Sequence, residues 1–222
     1  MPATLDALSQ AIARCRDAVE IIVVDNNSTD ATEDIARVRA DIVVSERVRN
    51  IARVRNAGAA AATGDVLVFL DADTWVPDNF LSRISEVMRV ADCMGGRPEI
   101  RHAPKALALR IYLESWRRIG NLLGMAQGAS LFCRQEAFIN IGGFDESQFM
   151  GEDVEFFWRL RAYARHHGGR IVFLEDIQVM PSARRFDQWP LRRTLLYTNP
   201  FFIAIFRRTE SAWWGWYIRP VR

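Results

Sequence analysis

Asp71-Ala72-Asp73 places two carboxylates, with one residue between them, where the continuous apolar run Val66 to Leu70 stops. A bend there turns both toward one cleft, and hard oxygen donors of this kind suit Mg²⁺ or Mn²⁺, which neutralise a diphosphate. Taken alone, the same residues also describe a solvated turn, because Asp is common in turns. A second acid, Asp25, ends the apolar run Ile21 to Val24 and opens the turn-forming cluster Asn26-Asn27-Ser28-Thr29-Asp30. Further along, Gly151-Glu152-Asp153 precedes an aromatic-rich helix. Read by position only, it is an acid pair favoured by the helix dipole. His102, His166 and His167 show no metal-ligand spacing, and the cysteines Cys15, Cys93 and Cys133 form neither a CxxC pair nor a disulfide framework.

The elements that must position these groups alternate. Met1 to Ala18 reads as an amphipathic helix with Leu5, Leu8, Ile12 and Cys15 on one stripe, and Ile21 to Val24 as a buried strand. Helical character follows from Ala31 to Ala40, a short strand over Ile42 to Val44, a helix from Ile51 to Ala62 and a strand over Val66 to Leu70. Then come a helix over Phe80 to Val90, a looser middle around Gly95-Gly96, and a long helix from Ala106 to Leu123. Last are a strand over Gly128 to Cys133, a Gly142 to Glu146 loop, a helix over Glu152 to His166 and a strand over Arg170 to Leu174. Such alternation predicts an α/β fold with a doubly wound, mostly parallel sheet and helices on both faces, in which ligands sit at the carboxyl ends of strands. Asp25 and the Asp71/Asp73 pair both stand at such ends.

The order and spacing of Asp25 to Asp30, Arg55-Asn56-Ala57-Gly58, Ala62-Thr63-Gly64-Asp65, Asp71-Ala72-Asp73, Gly142-Gly143-Phe144-Asp145-Glu146 and Gly151-Glu152-Asp153 closely resemble family 2 glycosyltransferases over Pro2 to Pro181. The resemblance implies the GT-A fold and inverting, non-processive transfer of a sugar from a nucleoside-diphosphate sugar, most often a UDP-sugar, to a glycan or lipid-linked acceptor. It implies that Asp25, Asn27, Arg55 and Asp71 line the nucleotide site, with Asp25 accepting from the base, and that Asp73 holds Mn²⁺ or Mg²⁺. Asp153 is then the base that takes the acceptor's proton, with Asp145 and Glu152 on the acceptor side. A helix N-cap remains the alternative for Asp25, a solvated helix charge for Arg55, and a turn built on glycines at positive φ for the GGFDE segment.

The chain departs from that pattern in three places. It begins at the helix that should follow the family's first strand, so an incomplete sheet is expected. The Gln-x-x-Arg-Trp signature of processive synthases is absent, since Arg184 to Trp189 matches it only superficially. Met180 and Ser182 stand where some GT-A enzymes have a metal-binding His.

At 222 residues the chain suits one α/β domain, taken as 1–182, with an appended segment, 183–222. Its net charge of +2 lacks the basic excess of a nucleic-acid binder. A reduced, cytoplasmic setting is expected. The run Leu195 to Phe206 is too short to span a bilayer, which needs about 20 residues. Its flanking arginines and the Trp213 to Tyr217 aromatics suit a peripheral contact at the inner membrane face, a hydrophobic partner, or packing on the domain itself. Two other functions stay open: a nucleotidyltransferase, and an inactive fragment serving as a binding module.

Overall fold

The structure is a computed structural model that describes residues 1–126 and 128–217. The first half alternates as the apolar periodicity requires: α1 (Pro2–Arg14), β1 (Ile22–Asp25), α2 (Thr32–Arg39), β2 (Ile42–Ser45), α3 (Ile51–Ala61), β3 (Val66–Leu70), a short β4 (Thr74–Trp75) and α4 (Phe80–Met88). The second half runs β5 (Cys93–Ile100), α5 (Leu107–Leu123), β6 (Ser130–Arg134), α6 (Gln135–Asn140), α7 (Glu152–His166) and β7 (Arg170–Pro181). The remaining described residues form α8 (Arg184–Gln188), α9 (Leu191–Tyr197), α10 (Pro200–Phe206), a 3-10 turn over Glu210–Trp213 and α11 (Trp214–Tyr217).

The main sheet has the order β3-β6-β5-β7-β4. Its longest ladder, β5 with β7, is parallel, whereas β6 runs antiparallel to both neighbours and β4 antiparallel to β7. β1 and β2 pair in parallel as a separate two-stranded sheet that α3 covers.

Period-two alternation divides the core into two layers. On β6, Leu131 and Cys133 face α3, α6 and α7, where Phe138, Phe144, Phe156, Phe157 and Leu160 are buried. Phe132 faces the other way, toward α1 and α4, where Ala11, Phe80, Ile84 and Met88 are buried. β3 splits likewise, Leu67 and Phe69 to one layer and Val66, Val68 and Leu70 to the other. Helices thus cover both faces.

The region around Gly95-Gly96, expected to be loose, is a buried strand. Gly96 fits there because any Cβ would stand 2.1 Å from the Val172 carbonyl oxygen and 2.7 Å from Phe132. Pro98, unusual in a strand interior, sits at an irregularity of the β5/β7 register, where Pro98 pairs Leu174 but Glu99 pairs Gln178. The slack taken up over residues 175–177 lets β7 continue past Leu174 to Pro181.

The segment beyond residue 183 folds back on the sheet domain. Trp189, Tyr197, Phe202, Trp213 and Trp216 form one aromatic cluster in which Trp213 is fully buried. Phe149 N–H donates to the Arg207 carbonyl at 2.6 Å, and the Tyr217 hydroxyl donates to the Phe149 carbonyl at 2.9 Å. Among the described residues no helix is long and apolar enough to cross a membrane. Residues 218–222 of the expected tail lie outside the described residues.

Candidate active site

Helix α3 organises the site. Asn50 caps it, accepting from Arg53 N–H at 3.0 Å, and its amide also donates to the Glu146 and Gln148 carbonyls at 3.1 and 2.9 Å. Two turns on, the Asn56 side chain donates to the Phe144 carbonyl and accepts from Phe144 N–H, both at 2.9 Å. From α7, Arg159 donates to the Ile141 and Gly143 carbonyls at 2.6 and 2.7 Å. The GGFDE loop, with both glycines in the left-handed region (φ 77° and 65°), is therefore clamped between α3 and α7.

Arg55 reaches from the same helix into a cluster of acids. Its guanidinium donates to Glu152 at 2.7 Å, to the Gly128 carbonyl at 2.7 Å and to Asp71 at 3.4 Å, and lies 5.3 Å from the centre of the Phe144 ring. Burial opposes its charge, but the Glu152, Asp71 and Asp153 carboxylates outweigh that and hold it charged more firmly than usual. Gly151, left-handed at φ 76°, makes the turn that starts α7 and brings Glu152 and Asp153 together at its first positions.

Asp153 is pushed up to about 7, first by burial and next by the Glu152 charge, against an opposing pull from Arg55. Gly128 leaves the room for this arrangement: a Cβ there would stand 2.9 Å from Asp153 Oδ2 and 3.0 Å from Arg55 Nη2. Asp71 keeps 46% of its side-chain surface in solvent. Its upward shift comes first from crowding by protein atoms, is opposed by Arg55 and reinforced by Asp73, and is screened by that solvent contact.

Asp73 lies two residues beyond, immediately before β4. Its carboxylate accepts from Arg184 Nη2 at 3.0 Å, and its carbonyl from Ser182 N–H at 3.1 Å. His102 is also in its field. Burial lowers that imidazole to about 4, with Asp73 opposing, and Nδ1 is buried without a partner among the described residues. The Asp71 and Asp73 oxygens are the donors a divalent ion takes. Among the described residues no three His, Cys, Asp or Glu side chains converge closely enough to hold a metal alone.

Asp25 is buried at the end of β1. Its carboxylate accepts from Ser28 N–H at 3.3 to 3.4 Å, while the first turn of α2 is met by Asp30, which accepts from Thr32 N–H at 3.1 Å. Asp25 is thus not the cap of α2. Asn27 adopts φ 57° and donates to the Arg47 carbonyl, tying the exit of β1 to that of β2. Asp145 accepts from Ser147 N–H and Oγ at 3.0 and 2.6 Å, from Gln148 at 2.9 Å and from Arg208 at 3.2 Å. Burial works against its charge, yet these donors hold it well below the usual carboxylate range.

The structure therefore gathers Arg55, Asp71, Glu152 and Asp153 into one cluster, sets Asp73 at its edge, and leaves Asp25 and Asn27 on the two-stranded sheet and Asp145 in the clamped loop. Sequence reasoning read Gly128 only as a strand start, Arg184 and Arg185 only as part of a superficial motif match and Arg208 only as a flank of the apolar run, and gave none of them a role in the site. The Arg184-Arg185 doublet after the last strand was the only visible signal among them.

A family model, Glycosyl transferase family 2, matches residues 2–142. Glycosyltransferase AglE of Haloferax volcanii is 27% identical over 203 residues, covering 81% of this chain and 65% of the relative. The pre-mycofactocin glycosyltransferase of Mycobacterium tuberculosis is 30% identical over 163 residues, covering 64% and 34%. The chain thus spans less than two thirds of the length of these curated relatives. Among solved structures, S. aureus TarS 1–349 in complex with UDP superposes with a TM-score of 0.61 at 15% identity, covering 99% of this chain and 71% of that one. The mannosyltransferase PcManGT from Pyrobaculum calidifontis, in complex with GDP-Man and Mn²⁺, gives 0.62 at 18% identity, covering 95% and 65%. With a family match across most of the sheet and strand ends that carry the acids expected there, the chain belongs to glycosyl transferase family 2 and has the GT-A fold.

Proposed function

We propose that the chain carries out inverting, non-processive transfer of a sugar from a nucleoside-diphosphate sugar to a hydroxyl of a glycan or lipid-linked acceptor. The observation that carries this reading is the convergence of Glu152, Asp153 and the strand-end acid Asp71 around Arg55 and Gly128, in surroundings that raise the proton affinity of Asp153. A carboxylate of that affinity takes a proton from an attacking hydroxyl near neutral pH, which is what a general base must do. Asp25, Asn27, Arg55 and Asp71 serve the nucleotide, with Arg55 held in place by Glu152. Asp145, by fixing the clamped loop, shapes the acceptor side together with Glu152.

Asp73, with Asp71 beside it, would hold Mn²⁺ or Mg²⁺, which supplies positive charge against the departing diphosphate. The UDP complex of TarS and the GDP-Man and Mn²⁺ complex of PcManGT support a nucleotide-sugar donor and a divalent ion. We read residues 1–182 as the transfer domain of a cytoplasmic enzyme. Exposed Leu195, Phe201 and Ile205 in the appended segment support a peripheral contact with the inner membrane face.

Calorimetry with UDP and GDP in the presence of Mn²⁺ tests the donor site, and Asp73→Ala should abolish the metal-dependent part of binding. Asp153→Asn should keep donor binding and lose at least about 10²-fold in transfer rate. Wild-type chain that binds donor but never turns it over would make it a binding module.

A further inference from the structure

We propose that Arg184 and Arg185, on α8, form the cationic wall of the donor site: Arg184 is the counter-ion of Asp73 in the ligand-free protein and passes to the diphosphate when donor and metal bind. This rests on the donor reading above.

The position of α8 follows from strand register. β4 begins directly after Asp73 and pairs with the end of β7, Thr74 opposite Pro181 and Trp75 opposite Met180. Ser182 N–H then donates to the Asp73 carbonyl at 3.1 Å, so the residues leaving β7 emerge beside that acid. The stem of Arg184 is fixed by its N–H and Nε on Ser182 Oγ at 3.3 and 3.0 Å, and the free end of its guanidinium lies 3.0 Å from Asp73 Oδ2. Asp187 holds α8 from the other side by accepting from Lys105 N–H at 2.7 Å.

Arg185, next to Arg184 on α8, is half-buried, its guanidinium 3.7 Å from the centre of the Trp216 ring, and Asp73 and Asp71 supply the attractive field it feels. A planar cation stacked on an aromatic ring is pre-organised for an anion.

Were Asp73 to hold a divalent ion, Arg184 would lose its carboxylate partner, and its forked donors would match the oxygens of a diphosphate bound with that ion. A surface ion pair kept only for stability would contribute little. A pair that can exchange carboxylate for phosphate contributes where the donor is recognised.

The test is calorimetric titration of the full 222-residue chain with UDP, UMP, GDP and GMP in Mn²⁺. Arg184→Gln should cut the preference for diphosphate over monophosphate by about tenfold or more, the scale of a lost charge-assisted hydrogen bond. Arg184→Lys should restore part of it as a point charge. The melting temperature of Arg184→Gln should stay within about 2 °C of wild type, as for an exposed pair. An unchanged diphosphate preference in Arg184→Gln, or equal weakening of mono- and diphosphate, overturns the proposal while leaving the donor site standing. Wild-type chain that binds neither UDP nor GDP removes the donor reading and this proposal with it.

Discussion

Arg55 is the cation that three carboxylates share, and two substitutions around it should move Asp153 in opposite directions. The Arg55–Glu152 contact is 2.7 Å long between side chains exposed by 9% and 6%. At an effective dielectric of about 20 the gross attraction is about 6 kcal/mol, most of which desolvation offsets. Removing only the cation leaves buried charges uncompensated, so Arg55→Met should cost about 3–5 kcal/mol.

The same change removes the pull that lowers Asp153, whose midpoint should climb above 7 by about 1–3 units. Glu152→Gln removes the like charge instead, and the midpoint should fall below 7. Because the folded-state value lies above the ordinary aspartate value of about 3.9, the proton-linked stabilisation is complete below about pH 4 and is lost as pH rises through 7. The Arg55→Met deficit should therefore be smaller at about pH 5, where Asp153 carries its proton, than at about pH 8. ¹³C NMR titration of the aspartate carboxyls, assigned with Asp153→Asn, reads the midpoint, and denaturant melts at the two pH values read the linkage. Midpoints that shift in the same direction in both variants, or an Arg55→Met cost under about 1 kcal/mol, would refute this electrostatic account.

Gly128→Ala would push a methyl to 2.9 Å from Asp153 Oδ2 and 3.0 Å from Arg55 Nη2, so the protein should fold with about 1–3 kcal/mol less stability and lose at least about tenfold in transfer rate. Gly96→Ala drives a methyl against a backbone carbonyl, which cannot rotate away as a side chain could. It should lower Tm by more than about 6 °C in a thermal melt. Trp213→Ala empties the centre of the aromatic cluster at a cost of about 3–5 kcal/mol, and limited proteolysis should then cut beyond residue 183 while sparing the sheet domain.

Much of this was legible because local chemistry and tertiary role agree in it. Val66–Leu70 and Glu152–His166 form the elements that their apolar runs and turn residues announce, with the expected bounds. β5 was not legible: Gly95, Gly96 and Pro98 all argue against a strand, and they are tolerated because Gly96 lets a neighbouring backbone approach and Pro98 falls at a register irregularity. The extension of β7 was hidden for a related reason, since Glu175-Asp176 looks like a loop until its bulge is seen. At the site, the positions of the acids followed from strand and helix ends, but their partners did not. Arg55 meets Glu152 across 97 positions and Arg184 meets Asp73 across 111, and no local pattern encodes such pairs. The Gly128 gap depends on side chains from two other elements.

The segment beyond residue 183 touches the site twice, through Arg184 at Asp73 and through Arg208 at Asp145. A ribosome makes all the strands before it makes either arginine. Domains fold largely in order of synthesis, at about 5–20 residues per second, so Arg184 is added within about a second of the last strand and Arg208 only a few seconds after it. During that interval Asp145 lacks its Arg208 partner. The order of manufacture thus makes the cleft's two closing contacts the last features to form and, being held at the edge of the domain, the first that partial unfolding would release.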